Sequence, residues 1–192
     1  RAATASSAAA ISAPSPALGS DPSASELAYV PVHFPGRCEA FRELTHRLWK
    51  VRDFRAVLLL QGETGTPFEL VARDLAIASD FREGPVIVCD APQFEESHLI
   101  ELLAPTLLSA DAGTLIVTGI ESLSPAQQKT LSTLMSGRDV FLPFARRFRL
   151  VLASSNHLSE LADDGLFDET LYYKISSLSI TLPTLSELAG DI

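Results

Sequence analysis

Five short apolar runs alternate with segments whose apolar residues recur every three or four positions. The runs cover 56–61, 85–90, 113–118, 148–153 and 177–182, the last closed by Pro183. Each is short, continuous and rich in Val, Ile and Leu, the pattern of strands buried on both faces. Between them lie helical patterns. Residues 38–51 place Phe41, Leu44, Leu48 and Val51 on one face, and 68–79 and 95–108 follow. The segment 125–135 opens with Ser124 as N-cap and Pro125 at the first helical position. Short helices are expected around 158–163 and 168–174, and 138–146 reads as a short hairpin. Strands alternating with helices predict an α/β fold of three layers, a central parallel five-stranded sheet flanked by helices.

Residues 1–28 break this pattern. They are mostly Ala, Ser and Pro, too poor in bulky apolar groups to order themselves, and are expected to form a flexible linker to something upstream. An Ala-rich helix over 2–12 is the alternative, and Pro14 and Pro16 would stop it. A start at Arg1 instead of Met reads as an excised fragment. Residues 29–192 have globular composition and enough length for one core.

Charge narrows the choice of partner. The formal net charge is −9, which repels nucleic acid and argues against direct binding to it. No apolar run approaches the ~20 residues of a membrane span, and no signal-peptide pattern opens the chain. Cys38 and Cys89 lack CxxC spacing and read as reduced thiols of a cytoplasmic protein. His33, His46, His98 and His157 have no ligand spacing, so no metal site is expected.

The candidate chemistry lies between the first strand and the helix after it. Gly62, Glu63, Thr64, Gly65, Thr66, Pro67, Phe68 and Glu69 occupy the strand–loop–helix context of a phosphate-binding P-loop. A working loop needs a second glycine and a lysine where Pro67 and Phe68 stand. Proline has no N–H to offer a phosphate, and phenylalanine brings no charge. Two readings stay open. The glycines and the helix N-terminus could still hold a nucleotide, or the segment is a tight turn kept for packing.

The runs VLLLQGETGTPFELVARDLA, GPVIVCDAPQFEESHLIELL, ADAGTLIVTGIESLSPAQQKTLSTLM, FRLVLASSNHLSEL and GLFDETLYYKISSLSITLPTLSELAGDI, in this order, resemble the AAA+ domain of bacterial sigma-54 activators, the NtrC-like enhancer-binding proteins. The resemblance implies a P-loop NTPase-like fold, here with the lid subdomain absent, and assigns roles by position. The Walker A positions are Gly62 to Glu69, with Phe68 at the lysine place. The Walker B acids are replaced by Thr118 and Gly119. Asn156 matches the sensor I asparagine, whose bland role is a cap after the strand. The arginine-finger positions hold Asp168 and Lys174. Between Leu103 and Gly113 the chain is too short for the surface loop that carries GAFTGA and grips sigma-54.

These departures predict a pseudo-ATPase with no catalytic residues and no cofactor. Phosphoryl transfer needs metal, phosphate cradle and charge neutralisation together. The expected partner is then a protein: a second copy, a paralogous regulator or other domains of the same chain. Productive sigma-54 contact is not expected. Arg138, Arg146, Arg147 and Arg149 form a basic cluster in an acidic chain, either a partner patch or a solvated hairpin. Tyr172 and Tyr173 match a packing position of the family. Two other readings stand beside this one. The domain could sense a nucleotide or cyclic dinucleotide without hydrolysis, although no suitable arginine motif is evident. A rearranged site could also hydrolyse ATP through Lys174, the best placed of the chain's lysines.

Overall fold

A computed structural model describes residues 31–109, 111–155, 157–184 and 186–187. The expected linker, residues 1–28, therefore lies outside the described residues, as does Asn156. The described chain runs α1 (Glu39–Val51), β1 (Leu58–Gln61), α2 (Phe68–Ile77), β2 (Val86–Asp90), α3 (Glu96–Leu108), β3 (Gly113–Thr118), α4 (Pro125–Ser136), β4 (Phe148–Ser154), α5 (Leu158–Asp163), α6 (Glu169–Ile175) and β5 (Ser179–Thr181). The strands form one parallel sheet in the order β2-β3-β4-β1-β5. Parallel strands need crossovers, and the helices supply them on both faces.

Two apolar cores result, one on each face of the sheet. One gathers Leu59, Leu115, Val117 and Leu152 with α3, α4 and the α5–α6 region. The other gathers Leu58, Leu60, Ile116 and Val151 with α1 and α2. Alternate residues of β1, β3 and β4 therefore point to opposite cores, as the twofold period of a strand requires. At its edge β2 packs closely on β3. A side chain at Gly84 would meet the Ala112 carbonyl oxygen at 2.0 Å.

Local chemistry sets several boundaries. Ser124 and Gln127 form a capping box on α4, with Gln127 Oε1 accepting from the Ser124 amide at 2.9 Å. Gly137 ends the same helix in the left-handed region at φ 56°. α3 continues through Pro105 to Leu108, giving up the amide bond that a proline cannot make. Only residues 109–112 then separate it from β3.

The expected hairpin at 138–146 is corrected: Asp139–Phe144 is a 3-10 helix. Phe141 and Phe144 are buried, and their three-residue spacing matches the 3-10 period, not the alternation of a strand. Asp139 and Arg146, at φ 53° and 63°, bracket the segment. One long-range contact left no trace in the sequence pattern. Buried Asp74 on α2 accepts hydrogen bonds from the backbone amides of Val32, His33 and Phe34 at 2.8–3.0 Å. It thereby straps the segment before α1 across the helix that follows the phosphate loop.

Candidate functional site

The carboxyl ends of β1, β3 and β4 meet where an open parallel sheet presents its ligand site. The Gly62 amide donates to the Ser154 carbonyl at 3.2 Å, joining the loop to β4. Glu63, Thr64 and Gly65 are exposed. Gly65 has φ +92°, a conformation other residues rarely adopt.

The second half of the loop turns inward. The Phe68 side chain is 9% exposed and belongs to the core formed by α1, α2 and the sheet. A β-carbon built on Gly62 would lie 3.3 Å from two ring carbons of Phe68 and 3.1 Å from Thr66 Oγ1. The ring thus covers the glycine of the loop at contact distance. The Thr66 amide donates to the Glu63 carbonyl at 3.1 Å, and the Phe68 amide to the Thr66 carbonyl at 2.8 Å. Pro67 offers no amide and is the N-cap of α2 without a side-chain cap bond. Glu69, in the first turn, pairs with Arg73 at 2.8 Å.

Thr118 and Gly119, at the end of β3 and the turn after it, carry no acid. Thr118 Oγ1 donates to Asp90 Oδ1 at the end of β2. Gly119 turns the chain at φ +72°. Two residues on stands Glu121, which the sequence reading overlooked. Its Oε1 accepts from Ser155 Oγ at 2.5 Å and from the Ser155 amide at 3.3 Å. Its Oε2 is buried without a hydrogen-bond partner. Only the burial created by β4 against the turn after β3 distinguishes this glutamate from a surface one. Cys89 is buried near this edge, and burial with the adjacent Asp90 charge pushes its thiol up to about 11. Among the described residues no group of three or more His, Cys, Asp and Glu could hold a metal ion.

Asp168 and Lys174 stand at the two ends of α6. Asp168 is the N-cap of α6: its Oδ1 accepts from the Leu171 amide at 2.6 Å, and its own amide donates to Gln128 Oε1 at 2.8 Å. Lys174 is exposed in the last turn of α6. Tyr172 packs against the core and Tyr173 is 66% exposed, their ring centroids 5.7 Å apart.

The basic cluster is corrected at one member. Arg138, Arg146 and Arg147 are exposed, but Arg149 is 0% exposed within β4. Its Nη1 and Nη2 donate to the Arg52 and Val51 carbonyls at the end of α1, at 2.5 and 3.0 Å. Its guanidinium lies 5.7 Å from the Phe81 ring centroid. Burial pushes its pKa down to about 10, partly offset by the Asp53 charge. Arg149 is thus a buried tie between β4 and α1, unavailable to a partner.

Residues 36–185 match the model of the family described as the sigma-54 interaction domain. The chain is 30% identical over 179 residues to the C4-dicarboxylate transport transcriptional regulatory protein DctD of Pseudomonas aeruginosa, covering 82% of this chain and 38% of that protein. It is 27% identical over 184 residues to the nitrogen fixation protein AnfA of Azotobacter vinelandii, covering 85% and 34%. The chain therefore spans well under half the length of these curated relatives. Among solved structures it resembles NtrX from Brucella abortus in complex with ATP, with TM-score 0.67, 18% identity, and coverage of 84% of this chain and 41% of that one. It also resembles the P-loop NTPase domain of a sigma-54 transport activator from E. coli, with TM-score 0.53, 25% identity, and coverage of 71% and 97%.

Proposed function

Since this chain belongs to the sigma-54 interaction domain family, we propose that it is a catalytically silent AAA+ module of a bacterial transcription regulator, acting through protein contacts instead of ATP turnover. The observation that carries this reading is the Phe68 ring, buried in the core and seated over Gly62. A nucleotide phosphate approaching this loop would meet an aromatic ring where the lysine charge is needed, and Pro67 removes one amide of the cradle. The residues present do not fit a magnesium–nucleotide complex, and no catalytic step is derived through one.

Three further departures support the same reading. Thr118 and Gly119 supply no carboxylate for a metal or an attacking water. Asp168 reverses the finger charge and its carboxylate caps α6. Lys174 projects from an exposed last turn and lacks the planar fork of an arginine. The four residues that separate α3 from β3 leave no room for a sigma-54-gripping loop, so remodelling of the sigma-54 polymerase is not expected.

The test is phosphate release from magnesium-ATP by this chain, over a range of protein concentrations, beside an intact relative such as DctD. No release above the no-protein background is expected. Turnover that Lys174→Ala abolishes would overturn the proposal and favour a rearranged catalytic site.

A further inference from the structure

The turn after β3 brings a carboxylate to the end of the sheet with no counter-charge to meet it. Gly119, at φ +72°, redirects the chain, and the Ser122 amide closes the turn on the Gly119 carbonyl at 3.0 Å. Ile120 is buried and pins the turn to the core. Glu121, half-buried, is thereby laid across the end of β4. Its Oε1 takes both donors of Ser155, the hydroxyl at 2.5 Å and the amide at 3.3 Å. β3 and β1 flank β4, so Glu121 and the phosphate loop approach β4 from its two sides. On the loop side the Gly62 amide donates to the Ser154 carbonyl at 3.2 Å. Three short steps therefore join the groups: Glu121 Oε1 to the Ser155 amide, across one peptide bond, and on to Gly62. They keep the carboxylate within about 9 Å of the Gly62 amide.

Nothing described offsets this charge. Glu121 Oε2 is buried and accepts no hydrogen bond. No ion pair among the described residues involves Glu121, Asp90 or Glu63. Asp90 ends β2 and receives the Thr118 hydroxyl, and Glu63 is exposed in the loop itself. Three carboxylates thus gather at the carboxyl end of the sheet. The one against β4 has an oxygen shut off from solvent, where like charges repel most strongly.

We propose that Glu121 is a built-in plug. Its carboxylate takes the Ser155 donors that an incoming phosphate would need, and its charge turns nucleoside phosphates away independently of Phe68. This deepens the proposed function and rests on it. The site is silenced twice, at the loop by a missing charge and beside β4 by an added one. A divalent cation would meet the same carboxylate as a ligand, and the two roles give opposite signs in one measurement.

The probe is ATP, titrated calorimetrically with and without magnesium. It is added to the chain carrying Pro67→Gly with Phe68→Lys, and to the same chain carrying Glu121→Gln as well. Glu121→Gln removes the charge and keeps the shape. ATP affinity is expected to rise at least about tenfold, with or without magnesium. No binding by either chain, or an unchanged affinity, would overturn the proposal. A fall in affinity confined to magnesium-ATP would overturn it by making Glu121 a metal ligand. Should the first background fail to fold by circular dichroism, Phe68→Ala, which only uncovers Gly62, replaces it with the same expectation. A double-mutant cycle in the parent chain checks the contact itself. Ser155→Ala should lower the urea midpoint, and lower it much less once Glu121→Ala is present. Additive effects would overturn the proposal, because the carboxylate would not be holding Ser155. The two readings fail separately: ATP binding by the parent chain contradicts the closed loop, whereas the sign of the Glu121→Gln effect decides the plug.

Discussion

Replacing Phe68 by alanine separates a structural ring from an accidental one at the phosphate loop. The ring is 9% exposed and packs in the core of α1, α2 and the sheet with Leu58, Leu60, Val71 and Ile180. Truncating a buried phenylalanine costs about 3–5 kcal/mol, the spread reflecting how far the site collapses. Phe68 sits at the margin of its core beside an exposed loop, which places the expected loss near the lower bound, about 3 kcal/mol. For a chain of this size that corresponds to a fall in Tm of roughly 6–12 °C. Urea denaturation followed by circular dichroism measures it, with the slope unchanged if only the native state is affected. Phe68→Leu keeps most of the apolar volume and should cost roughly 1 kcal/mol. A loss below about 1 kcal/mol for Phe68→Ala would refute the reasoning, because the ring would then not be packed over Gly62 and the cradle would be open.

Other outcomes follow from the same geometry. Arg149→Ala removes two charged hydrogen bonds to carbonyls of α1 and leaves a void, so a loss of at least about 3 kcal/mol in chemical denaturation is expected. Asp168→Ala deletes the cap of α6 and should cost about 1 kcal/mol by the same measurement, with no change in phosphate release. Burial raises the Cys89 thiol to about 11, so at pH 8 it should react with a thiol reagent far more slowly than Cys38. Its folded-state pKa lies above the unfolded value of 9.0. The stability it contributes is therefore complete below pH 9 and lost as pH rises through about 11, which alkaline denaturation of Cys89→Ala against the parent chain reads out. Pro67→Gly with Phe68→Lys should restore at most nucleotide binding, not turnover, since Thr118 and Gly119 still supply no carboxylate.

Much of the fold was legible because its signals are local. The Val- and Ile-rich run of β3 and the Ser124–Pro125 start of α4 depend on neighbours in the sequence, and both stand where the pattern put them. The run of β1 begins later than the pattern suggested, at Leu58. The alternation of the hairpin expected at 138–146 is absent from this segment, which is a 3-10 helix. The deciding feature is instead the three-residue spacing of Phe141 and Phe144. Arg149 was misplaced for a different reason. A charged residue in a strand looks exposed, and only the arrival of the α1 carbonyls of Val51 and Arg52, almost a hundred positions away, makes its burial tolerable. Asp74 and Glu121 were missed likewise, since their partners at 32–34 and 155 are brought near by tertiary packing alone. At the phosphate loop the sequence spoke most clearly through what Pro67 and Phe68 cannot supply. It said nothing of where the ring would go.

The central claim rests on that ring, and calorimetric titration of magnesium-ATP and of ADP into the purified chain tests it most directly. The account predicts no binding heat and no rise in Tm at millimolar nucleotide. Saturable micromolar binding, with the stabilisation that mass action requires, would contradict it and return the loop to the role its glycines suggest.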